Sequence, residues 1–382
     1  MACFQFNTLR RLVVKIGSAL LVDGDGCFDR AWLAHLVTDI AALHKAGREV
    51  LIVSSGAVAI GCNVLGLSRR RSRLDELQAS AAAGQVQLVH AWQEELGKHR
   101  ITAAQVLLTP GDTEDRRRFL NAKNTLQKLL ELKVIPVINE NDTVATDELR
   151  YGDNDRLAAR VAQMVMADGL VLLSDVDGLY SVDPHVDAEA EHFPVVSEIT
   201  DDILAMAGAA GSEVGSGGML TKLQAAKIAT HAGCATIVAS GAVERPLQSL
   251  ADGGKCTVFL AEGTPAAARK QWLAGMLIVS GELRIDDGAA RALANGSSLL
   301  PVGLVAVSGN FRRGDVVTLV NAAGVELGRG LATYTSDEAT AIIGCRSEQI
   351  EARLGYCGRS VLVHRDDLVV FQKPGSGHVS HD

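Results

Sequence analysis

The sequence lacks the marks of several protein classes. None of its apolar runs approaches the ~20 residues that a membrane-spanning helix needs. The first residues contain no signal-peptide pattern, and we therefore expect a cytoplasmic protein. The 7 cysteines are odd in number and never form a CxxC pair. Such spacing favours free thiols over a disulfide framework or a zinc site.

An excess of positive charge is absent as well. The net charge is −8 and the isoelectric point is about 5.7, so the overall charge attracts neither nucleic acid nor an anionic membrane. Aromatic residues make up only 4% of the chain, and none lies within the arginine run at 69–73 to stack on bases. We interpret this run as a solvated surface. The 382 residues, 47% of them apolar, suffice for two or three domains with real cores.

Polar residues follow the first predicted strands. The apolar segment 12–16 predicts a strand that carries Lys15 and leads into a glycine. Helical spacing over 31–46 and a buried strand over 49–55 follow, so that Ser55 lies at a strand end. This β-α-β-α order predicts an α/β sheet whose ligands bind at the carboxyl ends of strands. Lys15 is then a phosphate ligand or an ordinary lysine, and Ser55 an anion ligand or a helix N-cap.

The same patterns predict further elements. Helices are expected over 78–96, 115–132, 156–166 and 223–232, and strands over 101–109 and 169–173. The last of these strands ends in Ser174 and Asp175. Pro136 argues against a regular central strand near 134–138, because proline cannot donate to the ladder.

Two groups of polar residues lie between 134 and 155. The first covers residues 139–142 and the second residues 153–155. Their carboxylates and carboxamides suit a small molecule that carries an ammonium group, and an aspartate can also orient lysines or hold a metal ion. They also suit a solvated loop, in which Asn and Asp serve as turn and capping residues. These residues alone leave both interpretations open.

A glycine-rich segment precedes the helix that begins near Lys222. Glycines at 208, 211, 215, 217 and 218 let the backbone approach a polyphosphate, and a helix N-terminus favours the negative charge. The segment is not a P-loop, whose GxxxxGK[ST] order is absent. The alternative is a flexible linker. This interpretation is the weaker one, because an amphipathic helix is predicted directly after the segment.

Six blocks together resemble the glutamate 5-kinases of the amino-acid kinase family. They are KIGS at 15–18, SSGAVAIG at 54–61, RFLNAKNT at 118–125, PVINENDTVATDELRYGDND at 136–155, LLSDVDGLY at 172–180 and GSGGMLTKLQAA at 215–226. The resemblance implies an α/β kinase domain over 1–268, a three-layer αβα sandwich with a mostly parallel sheet. It also implies phosphorylation of the γ-carboxylate of L-glutamate by MgATP, the first step of proline synthesis.

The resemblance also assigns site residues. It places ATP at Lys15, Ser174, Asp175, Ser216, Gly217, Gly218, Met219, Leu220, Thr221 and Lys222. It places glutamate at Ser55, Asp142 and Asn154, and it gives Asp155 the role of orienting the two lysines. Mg²⁺ is expected with ATP, and no residue is assigned to hold it. Ser174 and Ser216 stand where the family often has threonine, and Leu220 where it often has a small polar residue.

The mechanism that these residues predict is direct in-line phosphoryl transfer. A carboxylate is already a nucleophile, so the reaction needs alignment and charge neutralisation rather than a general base. Lys15 and Lys222 are the candidates to flank the transferred group. We expect loss of either lysine to abolish turnover.

The pattern changes beyond residue 266. Short predicted strands broken by Gly and Pro resemble a PUA domain over 276–366, a small β-barrel-like RNA-binding module. Residues 276–382 contain 10 Arg and Lys against 12 Asp and Glu. RNA binding is therefore not expected, because a backbone-binding module needs a basic surface. A disordered tail is expected over 367–382.

Two other functions stay open at this point. One is an RNA-binding regulator with an inactive kinase-like domain, which should lack Lys15 or Lys222 and carry a basic C-terminal domain. The other is another carboxylate or carbamate kinase, such as an acetylglutamate kinase or an aspartokinase. The resemblance further implies a homo-oligomer, dimer or tetramer, and feedback inhibition by proline, neither of which can be placed on particular residues.

Overall fold

The computed structural model describes residues 5–23, 27–68, 71–144, 154–182, 184, 186–187, 189–209, 218–274 and 279–371. The chain divides into two compact units, Met1–Pro265 and Ala266–Asp382. No helix within these described ranges is long and apolar enough to cross a membrane.

The first unit alternates strands and helices. Its strands are β1 Arg11–Ile16, β2 Glu49–Ser54, β3 Ala103–Leu108, β4 Ile135–Glu140, β5 Gly169–Ser174, β6 Leu179–Tyr180, β7 His192–Phe193, β8 Val195–Val196, β9 Ala235–Ser240 and β10 Cys256–Phe259. Its helices are α1 Ser18–Leu21, α2 Arg30–Lys45, α3 Ala57–Leu65, α4 Leu74–Lys98, α5 Pro110–Glu114, α6 Arg116–Glu131, α7 Asn154–Val165, α8 Asp201–Ala209, α9 Met219–His231 and α10 Pro246–Ala251. Helix α11, Pro265–Ala274, begins at the boundary between the units.

An eight-stranded sheet forms the centre of the first unit. Its strand order is β3-β4-β2-β1-β5-β9-β10-β8. The six strands from β3 to β9 in this order pair in parallel, whereas β10 pairs with β9 in the antiparallel direction. The carboxyl ends of six parallel strands therefore lie along one edge, where α/β proteins bind their ligands.

The expectation that Pro136 prevents a regular central strand is wrong. Strand β4 includes this proline and pairs with β3 on one side and β2 on the other. The N–H of Ile135 donates to Thr102 on the β3 side, so the next residue turns its nitrogen toward β2. Pairing with β2 begins only at Val137, and the missing N–H of Pro136 thus falls before the ladder starts.

Helices cover both faces of the sheet, because alternate strand residues point to opposite sides. In β1, Leu12 and Val14 belong to one hydrophobic cluster together with helices α2 and α4, whereas Val13 belongs to a second cluster with α6, α7 and α9. Every strand residue from Leu12 to Ile16 is buried. The predicted three-layer αβα architecture is confirmed.

Helices α3 and α4 approach each other closely enough for backbone contact. A Cβ atom on Gly84 of α4 would lie 1.9 Å from the carbonyl oxygen of Ala57, and one on Gly61 of α3 would lie 1.7 Å from that of Ser80. Only glycine fits at both positions. This contact fixes the start of α3 against α4, and Ser55 lies directly before that start.

The second unit contains a separate five-stranded sheet. Its elements are β11 Gly281–Ile285, α12 Asp287–Ala294, β12 Leu304–Gly309, β13 Val316–Val320, β14 Glu326–Leu331, α13 Ser336–Ala341, α14 Ile350–Leu354 and β15 Leu368–Val370. The strand order is β12-β11-β13-β14-β15, in which only β11 and β13 are parallel neighbours. Phe311 and Tyr334 are the largest side chains of its core.

The prediction of a disordered tail over 367–382 is wrong for its first residues. Asp367 is buried and pairs with Arg269 at 3.0 Å, and Leu368–Val370 forms strand β15 against β14. The apolar run at 368–371 is too short to identify by itself a strand that its partner β14 stabilises. Residues 372–382 of the predicted tail lie outside the described residues.

Candidate active site

The carboxyl edge of the sheet gathers predicted site residues from the ends of four strands. Lys15 is the last but one residue of β1, Ser55 follows β2, and Asp142 lies two residues beyond β4. Ser174 ends β5 and is buried, and Asp175 follows it in an exposed position. Asp142 is half-buried in the turn after β4. The parallel strands bring together segments that are far apart in the chain.

Helix α7 begins at this edge with two buried residues, Asn154 and Asp155. Asp155 is 0% exposed, and two lysines reach its carboxylate. Lys15 Nζ lies 2.5 Å from Oδ1, and Lys222 Nζ lies 3.5 Å from Oδ2. Thr221 donates its hydroxyl to the same Oδ2 at 3.1 Å. We call these four side chains, Lys15, Asp155, Thr221 and Lys222, the charged cluster.

The charged cluster keeps Asp155 ionised. Burial by itself would raise the pKa of this carboxyl, but the nearby charges of Lys15 and Lys222 and hydrogen bonds from Lys15 and Thr221 outweigh burial. The pKa of Asp155 therefore lies below its ordinary value. Two lysines with one carboxylate leave a net positive charge at the strand ends, which suits a phosphate group.

Asn154, one residue earlier, belongs to a neutral network. Its amide nitrogen donates to Ser55 Oγ at 2.7 Å and to Asn139 Oδ1 at 3.0 Å. Asn139 in β4 in turn donates to Gln85 Oε1 in α4 at 2.8 Å. We call these four side chains, Ser55, Asn154, Asn139 and Gln85, the amide relay. In the part of the chain that the structure describes, Asn154 Oδ1 is buried and accepts no hydrogen bond.

Hydrogen-bond donors lie beside the amide relay. Helix α3 begins after Gly56, which adopts a left-handed backbone with φ of 111° and provides no side-chain cap. The first N–H groups of a helix lack partners within it and carry the positive end of its dipole. The hydroxyl of Ser55 accepts from Asn154, so its own hydrogen can point to a ligand.

A cleft of about 440 Å³ opens beside Asp175. Its wall includes Asp177, Tyr180 and Lys255, which bond to one another. Lys255 donates to Tyr180 Oη at 2.6 Å, and Tyr180 donates to Asp177 at 2.7 Å. Burial raises the pKa of Asp177, but the hydrogen bond from Tyr180 and the charge of Lys255 lower it by more. The cleft therefore presents a charged, ordered wall.

Helix α9 begins with several of the residues that are predicted to bind ATP. Gly218 is its N-cap, Met219 and Leu220 form its first turn, and Leu220 is 39% exposed. Thr221, predicted to contact ATP, directs its hydroxyl to Asp155. Ser216 and Gly217, also predicted to bind ATP, lie outside the described residues.

The described residues do not form a metal site by themselves. No group of three or more His, Cys, Asp or Glu side chains among them could hold an ion. The buried carboxylate of Asp155 is already engaged by two lysines. A magnesium ion at this edge would therefore need oxygen ligands from a bound phosphate.

Several residues of this edge were not predicted from the sequence. Asn139 lies within the quoted block 136–155 but received no role of its own, and Gln85 lies in an Ala-rich helix that carries no motif. Asp177 and Tyr180 also lie in a quoted block, and Lys255 lies in none. A polar residue on the buried face of α4 was the available signal for Gln85.

Comparison with known families gives two matches. Residues 10–240 match the Amino acid kinase family, and residues 281–354 match the PUA domain. The first match covers more than half of the chain and includes every residue of the charged cluster and the amide relay.

Curated relatives are similar over nearly the whole chain. A glutamate 5-kinase of Paramagnetospirillum magneticum is 56% identical over 362 residues, which cover 94% of this chain and 98% of the relative. Glutamate 5-kinase 1 of Rhizobium meliloti is 55% identical, with 96% and 93% covered. A glutamate 5-kinase of Rhizobium rhizogenes is 54% identical, with 96% and 94% covered.

Solved structures are similar at lower identity. Carbamate kinase from Giardia lamblia bound to AMP-PNP matches with a TM-score of 0.47 and 17% identity, over 66% of this chain and 99% of that one. UMP kinase from Ureaplasma parvum matches with a TM-score of 0.46 and 17% identity, over 66% and 98%.

Proposed function

Because the chain belongs to the glutamate 5-kinase family of the amino acid kinases, we propose that Lys15, Lys222 and Asp155 carry its phosphoryl transfer. The enzyme phosphorylates the γ-carboxylate of L-glutamate with ATP and forms L-glutamyl 5-phosphate, the first step of proline biosynthesis. One observation carries the assignment of residues: a single buried carboxylate contacts both lysines at the carboxyl edge of the sheet.

The reaction is an in-line displacement at the γ-phosphorus. A γ-carboxylate oxygen of glutamate forms the new O–P bond, and the bond from the γ-phosphorus to the bridging oxygen of ADP breaks. Glutamate γ-carboxylate is ionised at neutral pH, so no group on the enzyme needs to remove a proton. The chain must instead hold two anions in contact and stabilise the charge that spreads over the transferred group.

Lys15 and Lys222 provide this stabilisation. Each is more than nine-tenths buried, so their charges act with little screening by solvent. Asp155 binds one lysine at each of its two oxygens, which fixes both ammonium groups relative to each other. A preorganised pair of cations needs no rearrangement as the transition state forms.

The amide relay and its surroundings suit a zwitterionic amino acid. Asn154 Oδ1 and the carboxylate of Asp142 are acceptors for the ammonium group. The Ser55 hydroxyl and the first N–H groups of α3 are donors for a carboxylate. We assign Ser55, Asp142 and Asn154 to glutamate on this division of acceptors and donors.

The nucleotide binds at the same edge of the sheet, on the side of Asp175. The cleft beside Asp175 has the size of a small-molecule pocket and is lined by Pro246 and Leu250 as well as by polar groups. We propose that the nucleoside lies in it, with Ser174 and Asp175 beside the nucleotide and the phosphates toward the start of α9. The remaining predicted ATP ligands, Ser216 to Lys222, are part of this proposal.

Magnesium is proposed only as an ion that ATP brings with it. The phosphates would supply most of its oxygen ligands, since the described residues contain no cluster that could hold it alone. Bound there, it would add positive charge at the phosphates. No residue of the chain is assigned to it.

We propose four further properties, of which the first two rest on the family. They are a dimeric or tetrameric assembly, feedback inhibition by proline, a cytoplasmic location and a second unit that does not bind RNA. The last of these rests on the balance of 10 basic against 12 acidic residues over 276–382.

A hydroxamate assay tests the function directly. Hydroxylamine converts an acyl phosphate into a hydroxamate, so protein and MgATP are mixed with glutamate, acetylglutamate or aspartate in turn. We expect product with glutamate alone. Product with aspartate or acetylglutamate but not with glutamate would assign the chain to a different carboxylate kinase.

A further inference from the structure

We infer that Gln85, which lies outside every block of the sequence resemblance, is a positioning residue for glutamate. It acts through Asn139 and holds the amide of Asn154 with its oxygen toward the ammonium group of the substrate. The inference rests on the proposed function, because it concerns how the glutamate site is oriented.

Two backbone groups fix the orientation of the amide relay. The N–H of Glu140 donates to Asn139 Oδ1 at 2.9 Å, and a backbone N–H can only donate. The oxygen of Asn139 must therefore face Glu140 and the nitrogen of Asn154, which lies 3.0 Å away. The nitrogen of Asn139 is left to face Gln85.

The orientation of Asn154 follows from its neighbours. Its nitrogen faces Ser55 Oγ at 2.7 Å and the carbonyl oxygen of Ser54 at 3.5 Å, and a carbonyl oxygen can only accept. Asn154 Oδ1 is consequently the atom that remains for a ligand. It is buried and accepts no hydrogen bond from the described residues. A buried acceptor of this kind is suited to a donor such as an ammonium group.

Gln85 supplies the acceptor that keeps this arrangement in place. Its Oε1 accepts from Asn139 at 2.8 Å in an environment where Gln85 is only 8% exposed. Without this acceptor, the Asn139 nitrogen would be buried and unpaired, which is costly. The Glu140 N–H would still require the oxygen of Asn139, so the amide would keep its orientation but lose the partner that holds its nitrogen end. Asn139 would then hold the amide of Asn154, and with it Oδ1, less firmly in place.

The test is a variant that removes the acceptor, together with the Nε2 group of Gln85, which is buried and has no hydrogen-bond partner within the described residues. Gln85→Met keeps the length and helix preference of the side chain. We expect the KM for glutamate to rise about tenfold, while kcat and the KM for ATP stay within about twofold of the wild type. The assay is glutamate-dependent hydroxamate formation with each substrate varied in turn, together with a thermal melt of each variant.

Two further variants separate positioning from packing. Gln85→Glu keeps an oxygen acceptor in either protonation state, and we expect its KM for glutamate within about threefold of the wild type. Ser80→Ala removes a hydroxyl on the same helix that is 0% exposed and accepts or donates no hydrogen bond within the described ranges. We expect wild-type kinetics for it. If Gln85→Met is insoluble, Gln85→Ala carries the same expectation.

The outcomes are distinct. An unchanged KM for glutamate in Gln85→Met overturns the positioning role, as does a parallel loss of kcat, both KM values and thermal stability. A Gln85→Glu variant as impaired as Gln85→Met also overturns it. Wild-type protein without glutamate-dependent product would refute the proposed function instead, before any variant is compared.

Discussion

Two consecutive residues at the start of α7 lie in opposite chemical surroundings. Asp155 joins two buried lysines, whereas Asn154 joins a network of amides and a hydroxyl without formal charge. Both residues are buried at the same strand ends. One turn of one helix therefore contributes to two chemically different groups of side chains.

The proposed function gives a physical reason for this difference. The transferred phosphoryl group gains and spreads negative charge, so fixed cations lower its energy directly. The α-ammonium and α-carboxylate of the amino acid keep their charges during the reaction, so their site needs acceptors and donors in the right order rather than additional charge. An amide relay provides that order because each amide has one accepting and one donating end. Variants in the charged cluster should therefore lower kcat, and variants in the amide relay should raise the KM for glutamate.

The largest effect is expected from loss of a lysine. Lys15→Ala and Lys222→Ala should each lower kcat by about 10³-fold or more, because a fixed cation at the transferred group is lost. Lys227→Ala, further along α9, is the matched control and should stay near wild-type activity. Initial rates at saturating glutamate and ATP measure this. Near-normal turnover in either lysine variant would remove that lysine from the mechanism.

The next largest effect is expected for Asp155→Asn. It leaves two buried lysines with no carboxylate, and we expect kcat to fall about 10²-fold and the free energy of unfolding to fall by about 3–5 kcal/mol. Urea unfolding and steady-state rates measure the two effects. Asp155→Asn with normal kcat would show that the lysines hold their positions without it.

The stability difference between wild type and Asp155→Asn should also depend on pH. The folded-state pKa of Asp155 lies below its ordinary value of 3.8, so the ionised carboxylate stabilises the fold fully above that value. This stabilisation is lost as the pH falls through the lowered pKa. Urea unfolding at a series of pH values should show the difference constant near neutrality and shrinking in the acid range. A difference that grows in acid would contradict the direction of the pKa shift.

Asn154→Asp replaces an amide with a carboxylate, which is the converse of Asp155→Asn. A carboxylate at 154 cannot donate to Ser55 or Asn139 and places a second negative charge beside Asp155. We expect the KM for glutamate to rise about 30-fold, with a much smaller change in the KM for ATP. An equal loss of affinity for both substrates would show that the two clusters do not act separately.

The smallest effect concerns the helix contact behind Ser55. Gly84→Ala would bring a Cβ to 1.9 Å from the Ala57 oxygen and should push α3 away from α4. We expect a loss of about 1–3 kcal/mol in stability and a severalfold rise in the KM for glutamate alone. Gly97→Ala on the same helix meets no atom within 4 Å and is the control, expected to be neutral or stabilising. Unchanged glutamate affinity in Gly84→Ala would separate the helix contact from the site.

The sequence by itself determined most of the helices and strands and the residue types of the site blocks. Hydrophobic periodicity located helices such as α2 and α6 to within a residue or two, because burial on one face is written directly in the residue order. The quoted blocks pointed to Lys15, Asp155 and Lys222, which the structure brings into contact. Their catalytic roles stay a prediction until the variants are measured.

Only the tertiary structure decided which distant residues meet. The prediction for Pro136 considered only that proline lacks an N–H. Whether this matters depends on where β2 begins to pair with β4, and that pairing begins one residue later, at Val137. Gln85 belongs to no motif, and its contact with Asn139 depends on α4 packing against the sheet beside β4. Periodicity records whether a side chain is buried, but it does not record which buried partner it finds. That partner is fixed by strand order and helix packing, and these bring Gln85, Asn139 and Asn154 into one chain of hydrogen bonds.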